Sequence, residues 1–489
     1  MVDGNPRTHE AAPVLPDGLI AVVKRDCPTC GLIAPVLAEL RTSFAGTLTV
    51  YSQDDPSFPE LIGGAIDDRE LTVSFALELD TVPTLIRVED GSEVARIVGW
   101  SRDQWSEFTG IDPLGAELPA HRPGCGSRTQ DPGIVEARAT QAGERHLRSR
   151  RVELGDEEDD AEAMFARGWS DGLPLVPPTA TRVVRMLAGT TRDPDEVVAV
   201  IPPDLVECTV EKIAINAVMA GCRPEYLPVV LAAVEAACTD AFNMHGLLAT
   251  TWFSGPVIVV NGPITRAIGM NSGINALGPG NRANATIGRA LQLVIRNVGG
   301  GRPGGVDRAT LGQPGKFTCC FAEHEDAYWE PMHVERGYRA DQNTVTLFAG
   351  EGVRGIVDQL SRTPESLTRS LAVCLRATTH PKLPIAFDAM LIITPDHLRV
   401  YEEAGWSKAR FREQLDALLQ IDGAELIRGA DGIAEGIPVE LAEMTLPKFR
   451  DGGLLIAHAG GGAGLFSGII GGWASGKMGS ESITREVGT

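Results

Sequence analysis

The sequence predicts an α/β protein with a small N-terminal domain followed by a larger α/β domain that carries glycine-rich loops. Two kinds of apolar pattern support this prediction. Short continuous apolar runs that end in turns, such as 18–24 and 257–261, are typical of buried strands. Apolar residues spaced four apart, as at Ile287, Leu291 and Ile295, are typical of helices. The 55 glycines and 32 prolines among 489 residues indicate many tight loops.

Length and composition limit the domain organisation and the class of partner. We expect a first domain at residues 1–115, a linker at 116–165 and an α/β substrate domain at 166–489. A hydrophobic content of 43% is ample for packed cores. The net charge of −21 argues against nucleic acid and anionic membranes as partners, because both are polyanions.

The sequence also indicates a compartment. It contains no uninterrupted run of about 18 apolar residues, so we expect no transmembrane helix. Residues 1–10 are polar and lack the apolar core of a signal peptide. The nine cysteines are an odd number and lack the regular spacing of a disulfide framework. We therefore expect a cytoplasmic protein, with a homo-oligomer left open.

Strands and helices are predicted from the same patterns along the larger domain. The predicted strands are 196–201, 257–261, 316–322, 391–394 and 454–458. The predicted helices are 182–187 with Thr179 as its cap, 209–219, 225–238, a helix that runs to 298, 398–404 and one that begins near 408. A turn is expected at 395–397, and glycine turns at 278–280 and 460–464.

Cys27 and Cys30 stand three residues apart at a predicted turn between the strand 18–24 and a helix. At the helix N-terminus, backbone N–H groups and the helix dipole stabilise the thiolate of the first cysteine. The pattern predicts a dithiol exchange site in which Cys27 is the exposed nucleophile. The alternatives are a structural disulfide and a zinc site. A zinc site needs a second pair of ligands, and the chain has no other C-x-x-C.

Residues 1–112 resemble thioredoxins in further features. Pro35 stands five positions after the second cysteine, and Pro83 lies between an apolar residue and Thr84 at the start of a strand. A turn, another strand and a terminal helix that fits 101–109 follow. The resemblance implies a thioredoxin-like fold and a cis Pro83 that packs against the disulfide. It also implies a thiol reductant or a thioredoxin reductase-like system as partner.

Two positions depart from the thioredoxin pattern. Asp26 stands where an aromatic residue usually precedes the first cysteine, and Ala21 stands where the preceding strand usually buries an acid. The usual proton shuttle is therefore absent. We expect the charge of Asp26 to raise the pKa of Cys27, and we expect a specialised partner domain rather than a general reductant.

Cys125 lies in a short basic and glycine-rich segment. His121, Arg122 and Arg128 should favour its thiolate, and the flanking glycines would let other groups approach it. One interpretation is a relay thiol that the Cys27/Cys30 pair reduces, and the other is a linker cysteine without a task. Cys-Gly-Ser here resembles the U-G-S-C motif of certain bacterial selenoproteins, although Arg128 takes the place of the final cysteine.

A loop rich in glycine and asparagine precedes the helix that runs to 298. Such a loop brings backbone N–H groups together at a helix N-terminus, where anions bind. We expect a substrate pocket for a carboxylate or phosphate, and the alternative is a loop required only for tight packing. The candidate substrate-binding residues are Asn271, Asn275, Asn281, Arg282 and Asn284.

A second cluster places cysteines, histidines and glutamates in a short span. We expect Cys320, Glu323, His333 and Glu335 to form one active site with the Asn281 loop, because titratable groups are costly to bury without a task. The cluster leaves three interpretations open. They are a divalent metal site, an acid–base pocket without metal and a satisfied polar core. No cofactor is required by the sequence.

Residues 169–487 resemble a bacterial family of unknown reaction. The resemblance rests on runs such as 278–286 and Gly-Trp-Ser-Lys at 405–408. Some members occur together with small U-G-S-C selenoproteins. The resemblance implies a common enzyme-like domain and supplies no chemistry.

These observations lead to one functional hypothesis and its alternatives. We expect a redox enzyme in which the Cys27/Cys30 dithiol exchanges electrons with Cys125 or Cys320, and that thiol serves a small polar or anionic substrate in the C-terminal domain. The alternative is a lyase or hydrolase in which the Glu/His/Cys cluster, with or without metal, performs the reaction. The first domain would then keep a catalytic cysteine reduced. A sensor or scaffold without turnover is the third hypothesis.

Overall fold

The structure is a computed structural model that describes residues 15–131, 133–134, 143, 146–155 and 158–488. Between residues 143 and 146 the described chain divides into two compact units, here called the N-terminal unit and the C-terminal unit. Both combine helices with sheets, which confirms the α/β prediction at that level. No helix in the described ranges is both long and apolar enough to cross a membrane.

The N-terminal unit is built on one five-stranded sheet. Its strands are β1 (Gly18–Val23), β2 (Leu48–Ser52), β3 (Ile66–Asp67), β4 (Thr81–Val82), β5 (Thr84–Glu89), β6 (Ser92–Val98), β7 (Trp100–Ser101), β8 (His121–Arg122) and β9 (Cys125–Gly126). Its helices are α1 (Pro28–Ser43), α2 (Thr72–Ala76) and α3 (Arg102–Thr109). The main sheet has the order β3-β2-β1-β5-β6. β1 pairs in parallel with β2 and antiparallel with β5.

The core of this unit follows from the apolar spacing of β1 and α1. Ile33, Leu37 and Leu40 lie three and four residues apart, so they share one face of α1. They are fully buried in one cluster with Ile20 and Ile86 of the sheet. The predicted strand at 18–24 and the predicted helix at 101–109 are both confirmed to within a residue.

Residues 121–130, here called the thiol strap, pack on the N-terminal unit. β8 pairs antiparallel with β7, and β9 pairs antiparallel with β4. Gly124 permits this approach, because a Cβ atom there would clash with the side chain of Thr81 and lie 2.8 Å from Val82 O. The compact unit thus continues beyond residue 115, where we expected a linker to begin.

The C-terminal unit contains a larger mixed sheet surrounded by helices. Its strands are β10 (Val197–Ile201), β11 (Val206–Thr209), β12 (Gly255–Asn261), β13 (Cys320–Ala322), β14 (Thr344–Val357), β15 (Phe387–Ile393), β16 (Gln420–Asp422), β17 (Thr445–Pro447), β18 (Leu454–His458), β19 (Phe466–Ala474) and β20 (Ile483–Glu486). The order of the large sheet is β13-β12-β14-β19-β15-β18, and β20 pairs with β14.

The helices of this unit begin at residues that favour helix starts, such as Thr179, Asn281 and Thr363, whose side chains accept hydrogen bonds from the first turn. They are α4 (Asp160–Ala166), α5 (Ala180–Leu187), α6 (Val210–Ala220), α7 (Leu227–Ala237), α8 (Met244–Ala249), α9 (Ile264–Ala267), α10 (Arg282–Asn297), α11 (Met332–Glu335), α12 (Pro364–Arg376), α13 (Pro395–Glu403), α14 (Lys408–Leu418) and α15 (Gly423–Leu426).

Most predicted elements of this unit are present, and two differ. The predicted strand at 316–322 forms only from Cys320 to Ala322, because a 3₁₀ turn occupies Pro314–Lys316. The turn expected at 395–397 is instead the first turn of α13. Proline fits there because the first helical residue needs no N–H partner.

The large sheet buries both of its faces. Successive residues of a strand point to opposite faces. Val257, Phe348 and Met390 belong to one buried cluster on one face, whereas Ile258 and Leu391 belong to two other clusters on the opposite face. Helix residues dominate those two clusters. Both faces therefore lie against other parts of the unit over most of the sheet, whereas the second half of β14, from Gly352, is largely exposed.

The two edge strands of the sheet meet at their C-terminal ends. His324 N, just after β13, donates a hydrogen bond of 2.7 Å to His458 O at the end of β18. His458 N donates in return to Glu323 Oε1 over 3.2 Å. The sheet is therefore curled, and Glu323 joins its two edges.

Candidate functional site

Cys27 is the N-cap residue of α1. Its backbone is extended, and its sulfur accepts a hydrogen bond from Cys30 N over 3.3 Å. Pro28 occupies the first helical position, where the absence of an N–H group costs nothing. The predicted placement of the first thiol at a helix N-terminus is thus present in the structure.

Three thiols meet at this helix start. The side chains of Cys30 and Cys125 both lie close enough to the sulfur of Cys27 to lower its pKa. β9 holds Cys125 in place through its pairing with Val82, and Thr29 Oγ1 donates to Pro123 O over 2.7 Å. Residues nearly one hundred positions apart therefore form one cluster, which combines the predicted dithiol with the predicted relay cysteine.

The surroundings of Cys27 stabilise its thiolate. Its pKa is lowered from 9.0 to about 5, chiefly by the hydrogen bond from the Cys30 side chain. The Cys125 side chain and the backbone N–H groups of Cys30 and Thr29 lower the pKa further, against the opposing effect of burial. Our expectation that Asp26 raises this pKa was wrong, because these donors contact the sulfur directly whereas the Asp26 side chain is exposed.

The other two thiols retain their protons. Burial and the hydrogen bond to Cys27 raise the pKa of Cys30 far above its usual value. The same two causes raise the pKa of Cys125. We expected His121, Arg122 and Arg128 to favour a Cys125 thiolate, and this expectation was wrong. The first two are exposed, and the Arg128 guanidinium donates to Gln53 O.

Accessibility separates the three thiols. Cys27 is 1% exposed and Cys30 is fully buried, whereas Cys125 is partly exposed. The prediction that Cys27 is an exposed nucleophile was therefore wrong. Within this unit, Cys125 is the thiol of the cluster that solvent can reach.

Pro83 lies directly beside the cluster. Its peptide bond with Val82 is cis, as the resemblance implies. Val82 O lies 3.6 Å from the sulfur of Cys27. All three cysteines are present as free thiols.

The asparagine loop of the C-terminal unit uses its side chains to hold its own backbone. Asn271 Nδ2 donates to Ile274 O, Asn275 Nδ2 donates to Pro279 O, and Asn281 Nδ2 donates to Gly269 O. Asn281 is also the N-cap of α10. These contacts support the packing interpretation, and an anion pocket at this loop stays a prediction.

Arg282 and Arg289 of α10 also form hydrogen bonds within the C-terminal unit. Arg282 is exposed, and its Nε donates to Gly221 O over 2.9 Å. Arg289 forms two hydrogen bonds of 2.8 Å with the carboxylate of Asp171.

Replacing Asn284 with alanine should loosen the 271–276 loop. Its buried side chain accepts from Asn271 N and donates to Asn271 O and Ala276 O. Losing these bonds should lower the free energy of unfolding by about 2 kcal/mol. Hydrogen exchange at loop amides should accelerate, whereas the exposed Arg282→Ala change should leave it unaltered. Unchanged exchange in Asn284→Ala would show that the loop does not depend on this side chain.

Glu323 is a buried acceptor rather than a free acid or base. Its carboxylate accepts from Asn261 Nδ2, Met332 N and His458 N at 2.7, 2.8 and 3.2 Å. Burial raises its pKa, and the nearby Lys408 ammonium opposes this effect. Its contacts tie β12, β18 and α11 together.

His333 and Glu335 do not share a site. His333 is fully buried with Nδ1 3.9 Å from Glu325 Oε1, and neither ring nitrogen has a hydrogen-bond partner among the described residues. Glu335 instead forms ion pairs with Lys408 and Arg412 at 2.9 and 2.8 Å, which lower its pKa against the effect of burial. The two side chains therefore have different neighbours, and the single active site that we expected from these residues stays a prediction.

Cys320 is unsuited to the role of a reactive thiol. It is buried in the core beside Gly288 of α10, and burial raises its pKa well above its usual value. The neighbouring Cys319 also has its pKa raised, to about 12, by burial. Burial thus disfavours a thiolate at Cys320, and its exchange with Cys27 or the substrate stays a prediction.

His324, just after β13, and His458, the last residue of β18, lie where the two edges of the curled sheet meet. Their rings are 5.5 Å apart, and Ser272 Oγ lies 3.5 Å from His324 Nδ1. Burial lowers the pKa of His458 to about 4. The described residues contain no group of three or more His, Cys, Asp or Glu side chains arranged to hold a metal ion.

Several residues with unusual surroundings carry no signal in the sequence. Ser254 and Arg296 are examples, since each has a buried polar atom without a partner among the described residues. A lone serine before a strand and a lone arginine in an amphipathic helix are common patterns, so only the fold reveals them.

Comparison with protein-family models finds no match for this chain, and comparison with curated proteins finds none either. The function must therefore be argued from the geometry of the thiol cluster.

Proposed function

We propose that the N-terminal unit is a thioredoxin-like domain that performs thiol–disulfide exchange through Cys27, Cys30 and Cys125. The observation that carries this proposal is the placement of the Cys27 sulfur at a helix start, where it accepts a hydrogen bond from Cys30 N and where the pairing of β9 with β4 holds Cys125. These surroundings lower the pKa of Cys27 and raise those of Cys30 and Cys125. A thiolate is the attacking species in disulfide exchange, and the two neighbouring sulfurs are the groups it can exchange with. The cis bond before Pro83 and the placement of Cys27 at a helix start agree with the proposed domain type.

The exchange begins at the partly exposed thiol. The Cys27 thiolate takes the proton of Cys125, and the Cys125 thiolate then attacks a disulfide-bonded substrate to form a mixed disulfide. The substrate sulfur that is displaced takes this proton from Cys27 and leaves as a thiol, so that Cys27 is again a thiolate. The Cys27 thiolate then attacks the Cys125 sulfur, and the second substrate sulfur leaves as a thiolate. Burial of Cys27 and Cys30 supports this order, because a substrate of any size meets Cys125 first.

Cys30 completes the reaction. It attacks Cys27, and its proton passes to the released Cys125 sulfur. The substrate disulfide has then gained two electrons, and the Cys27/Cys30 pair has lost them and forms a disulfide. An external dithiol reductant returns the two electrons by the same exchange. Burial and the neighbouring Cys27 thiolate both raise the pKa of Cys30. A disulfide between Cys27 and Cys125 removes the thiolate and with it the second of these causes.

Replacing Cys30 with serine should trap the intermediate. After treatment with oxidised glutathione, peptide mapping by mass spectrometry should find a disulfide between Cys27 and Cys125. The additional change Cys27→Ser should leave glutathione attached to Cys125. Cys374→Ser, at another partly exposed cysteine, should alter neither product. Glutathione attached to Cys27, without a bond between Cys27 and Cys125, would overturn the proposed order.

A further inference from the structure

A cavity of about 140 Å³ lies in the C-terminal unit at the start of β12. Its lining includes polar groups of Ser254, Gln292, Arg296 and Lys316, the ion-paired carboxylates of Asp171 and Asp307, and the apolar side chains of Leu247, Leu248 and Phe317. A single water needs only about 10–15 Å³ of such space, so the cavity accommodates a ligand of several heavy atoms.

The spacing of residues along α10 places the guanidinium group of Arg296 in the cavity lining. Arg289, Gln292 and Arg296 lie three and four residues apart and therefore share one side of the helix. Arg289 forms its ion pair with Asp171, which also lines the cavity. Arg296 extends the same row by about one turn, into the cavity lining.

Arg296 differs from its basic neighbours because its charge is not paired. Lys316 forms an ion pair with Asp307 at 2.9 Å. None of the described residues forms an ion pair with Arg296, and its Nε is buried without a hydrogen-bond partner. Burial and the nearby charge of Arg302 lower the pKa of Arg296, and the charge of Asp171, which is already paired with Arg289, opposes them only in part. Its surroundings thus disfavour the cation in the absence of an added negative charge.

Ser254 supplies an independent observation. It is 1% exposed, lines the cavity, and its Oγ has no hydrogen-bond partner among the described residues. Buried hydroxyl groups almost always have a partner. A hydroxyl and a guanidinium group that both lack partners in one cavity indicate a ligand with hydrogen-bond acceptors and a negative charge.

We propose that this cavity binds a small carboxylate, with its charged group on Arg296 and Ser254 and its carbon body against Leu247, Leu248 and Phe317. The planar fork of arginine matches a carboxylate with two parallel hydrogen bonds. The apolar part of the lining favours an organic acid over inorganic phosphate, which would have no apolar surface to cover it.

Titration calorimetry with acetate, butyrate and benzoate tests the site in the full chain. At least one of these carboxylates should bind saturably at millimolar concentration, and butyramide, the uncharged analogue of butyrate, should not. Arg296→Gln should weaken binding by about tenfold or more, and Ser254→Ala should weaken it less. Arg308→Gln removes an exposed charge outside the lining and should leave binding unchanged.

Thermal unfolding shows whether a loss of binding in Arg296→Gln results from a folding defect. Without ligand, Arg296→Gln should be as stable as the original chain or more stable, because it removes a partly buried and unpaired charge. The carboxylate that binds in calorimetry should raise the melting temperature of the original chain and leave that of Arg296→Gln unchanged. Absence of saturable carboxylate binding, equal binding by Arg296→Gln, or tighter binding of inorganic phosphate would each overturn the proposal.

Discussion

Alanine in place of Cys125 should raise the pKa of Cys27 above its value of about 5. The Cys125 side chain donates a hydrogen bond to the Cys27 sulfur, and a hydrogen bond to a charged group stabilises it by about 1.5–3 kcal/mol. The pKa of Cys27 should therefore rise by about one to two units. The absorbance of the thiolate in the ultraviolet, followed against pH, measures this change.

Serine at position 125 is the matched control. Its hydroxyl group can still donate to the Cys27 sulfur, but it cannot form a disulfide. Cys125→Ser should keep the pKa of Cys27 low and yet abolish the proposed exchange, which separates the electrostatic role of Cys125 from its redox role. In Cys27→Ser the absorbance step near pH 5 should disappear. An alanine variant that titrates like the original chain would contradict the hydrogen bond.

The lowered pKa of Cys27 links the stability of the reduced unit to pH. Between about pH 5 and 9, Cys27 is ionised in the folded chain and protonated in the unfolded chain. The unfolded state therefore binds more protons, and the free energy of unfolding should rise with pH across this window. The pKa values of Cys30 and Cys125 are raised, so these groups affect stability only above about pH 9.

The same thiolate affects the redox equilibrium. Stabilising Cys27 as a thiolate favours the dithiol form of the Cys27/Cys30 pair over its disulfide. Equilibration with glutathione should thus find the Cys125→Ala variant more readily oxidised than the original chain, since it loses one donor to that thiolate. Cys125→Ser should remain close to the original chain.

The thiol site could be predicted from local sequence only in part. The spacing of Cys27 and Cys30 and the preceding strand were sufficient to predict the helix start. The contact with Cys125 depends on pairing between β4 and β9, which are two residues long and have no apolar pattern. The charge of Asp26 suggested the wrong sign for the pKa shift, because a residue adjacent in sequence need not direct its charge at the sulfur.

The central strands of the large sheet were missed because they contain many glycines. Glycine usually disfavours strands, so 344–357 and 466–474 did not match a strand pattern. In the structure these glycines allow close packing. A Cβ atom at Gly350 would lie 2.6 Å from Ile470 Cγ2, and one at Gly472 would lie 2.6 Å from Asp388 O. The need for glycine therefore arises from the neighbouring strands, which a local pattern does not show.

The Glu/His/Cys cluster shows why residue types alone did not identify a site. Density of titratable groups predicted one active site, but Glu323 and Glu335 are occupied by separate contacts within the fold. Cys320 faces an apolar core. Glu323 accepts hydrogen bonds from backbone N–H groups, and Glu335 forms ion pairs. In the sequence, a glutamate with either of these roles cannot be distinguished from a catalytic glutamate.

Replacing Glu323 with alanine should strongly destabilise the C-terminal unit. The change leaves buried N–H groups of Asn261, Met332 and His458 without their acceptor. Each unsatisfied buried group costs about 1–3 kcal/mol, so we expect a loss of about 4 kcal/mol or more in the free energy of unfolding. That is a large share of the stability of about 5–15 kcal/mol typical of proteins. Chemical denaturation with a probe in this unit measures it.

Glutamine at position 323 provides the graded comparison. Its amide oxygen can still accept from Asn261 and Met332, whereas its NH₂ group faces the N–H of His458. The loss should therefore be smaller than for alanine, and the contact between the edges of the sheet should weaken first, as faster hydrogen exchange at His324 N. Glu330→Ala, at an exposed side chain nearby, should change stability by no more than about 0.5 kcal/mol. If Glu323→Ala and Glu323→Gln both changed the free energy of unfolding as little as Glu330→Ala does, Glu323 would not be the residue that holds the edges of the curled sheet together.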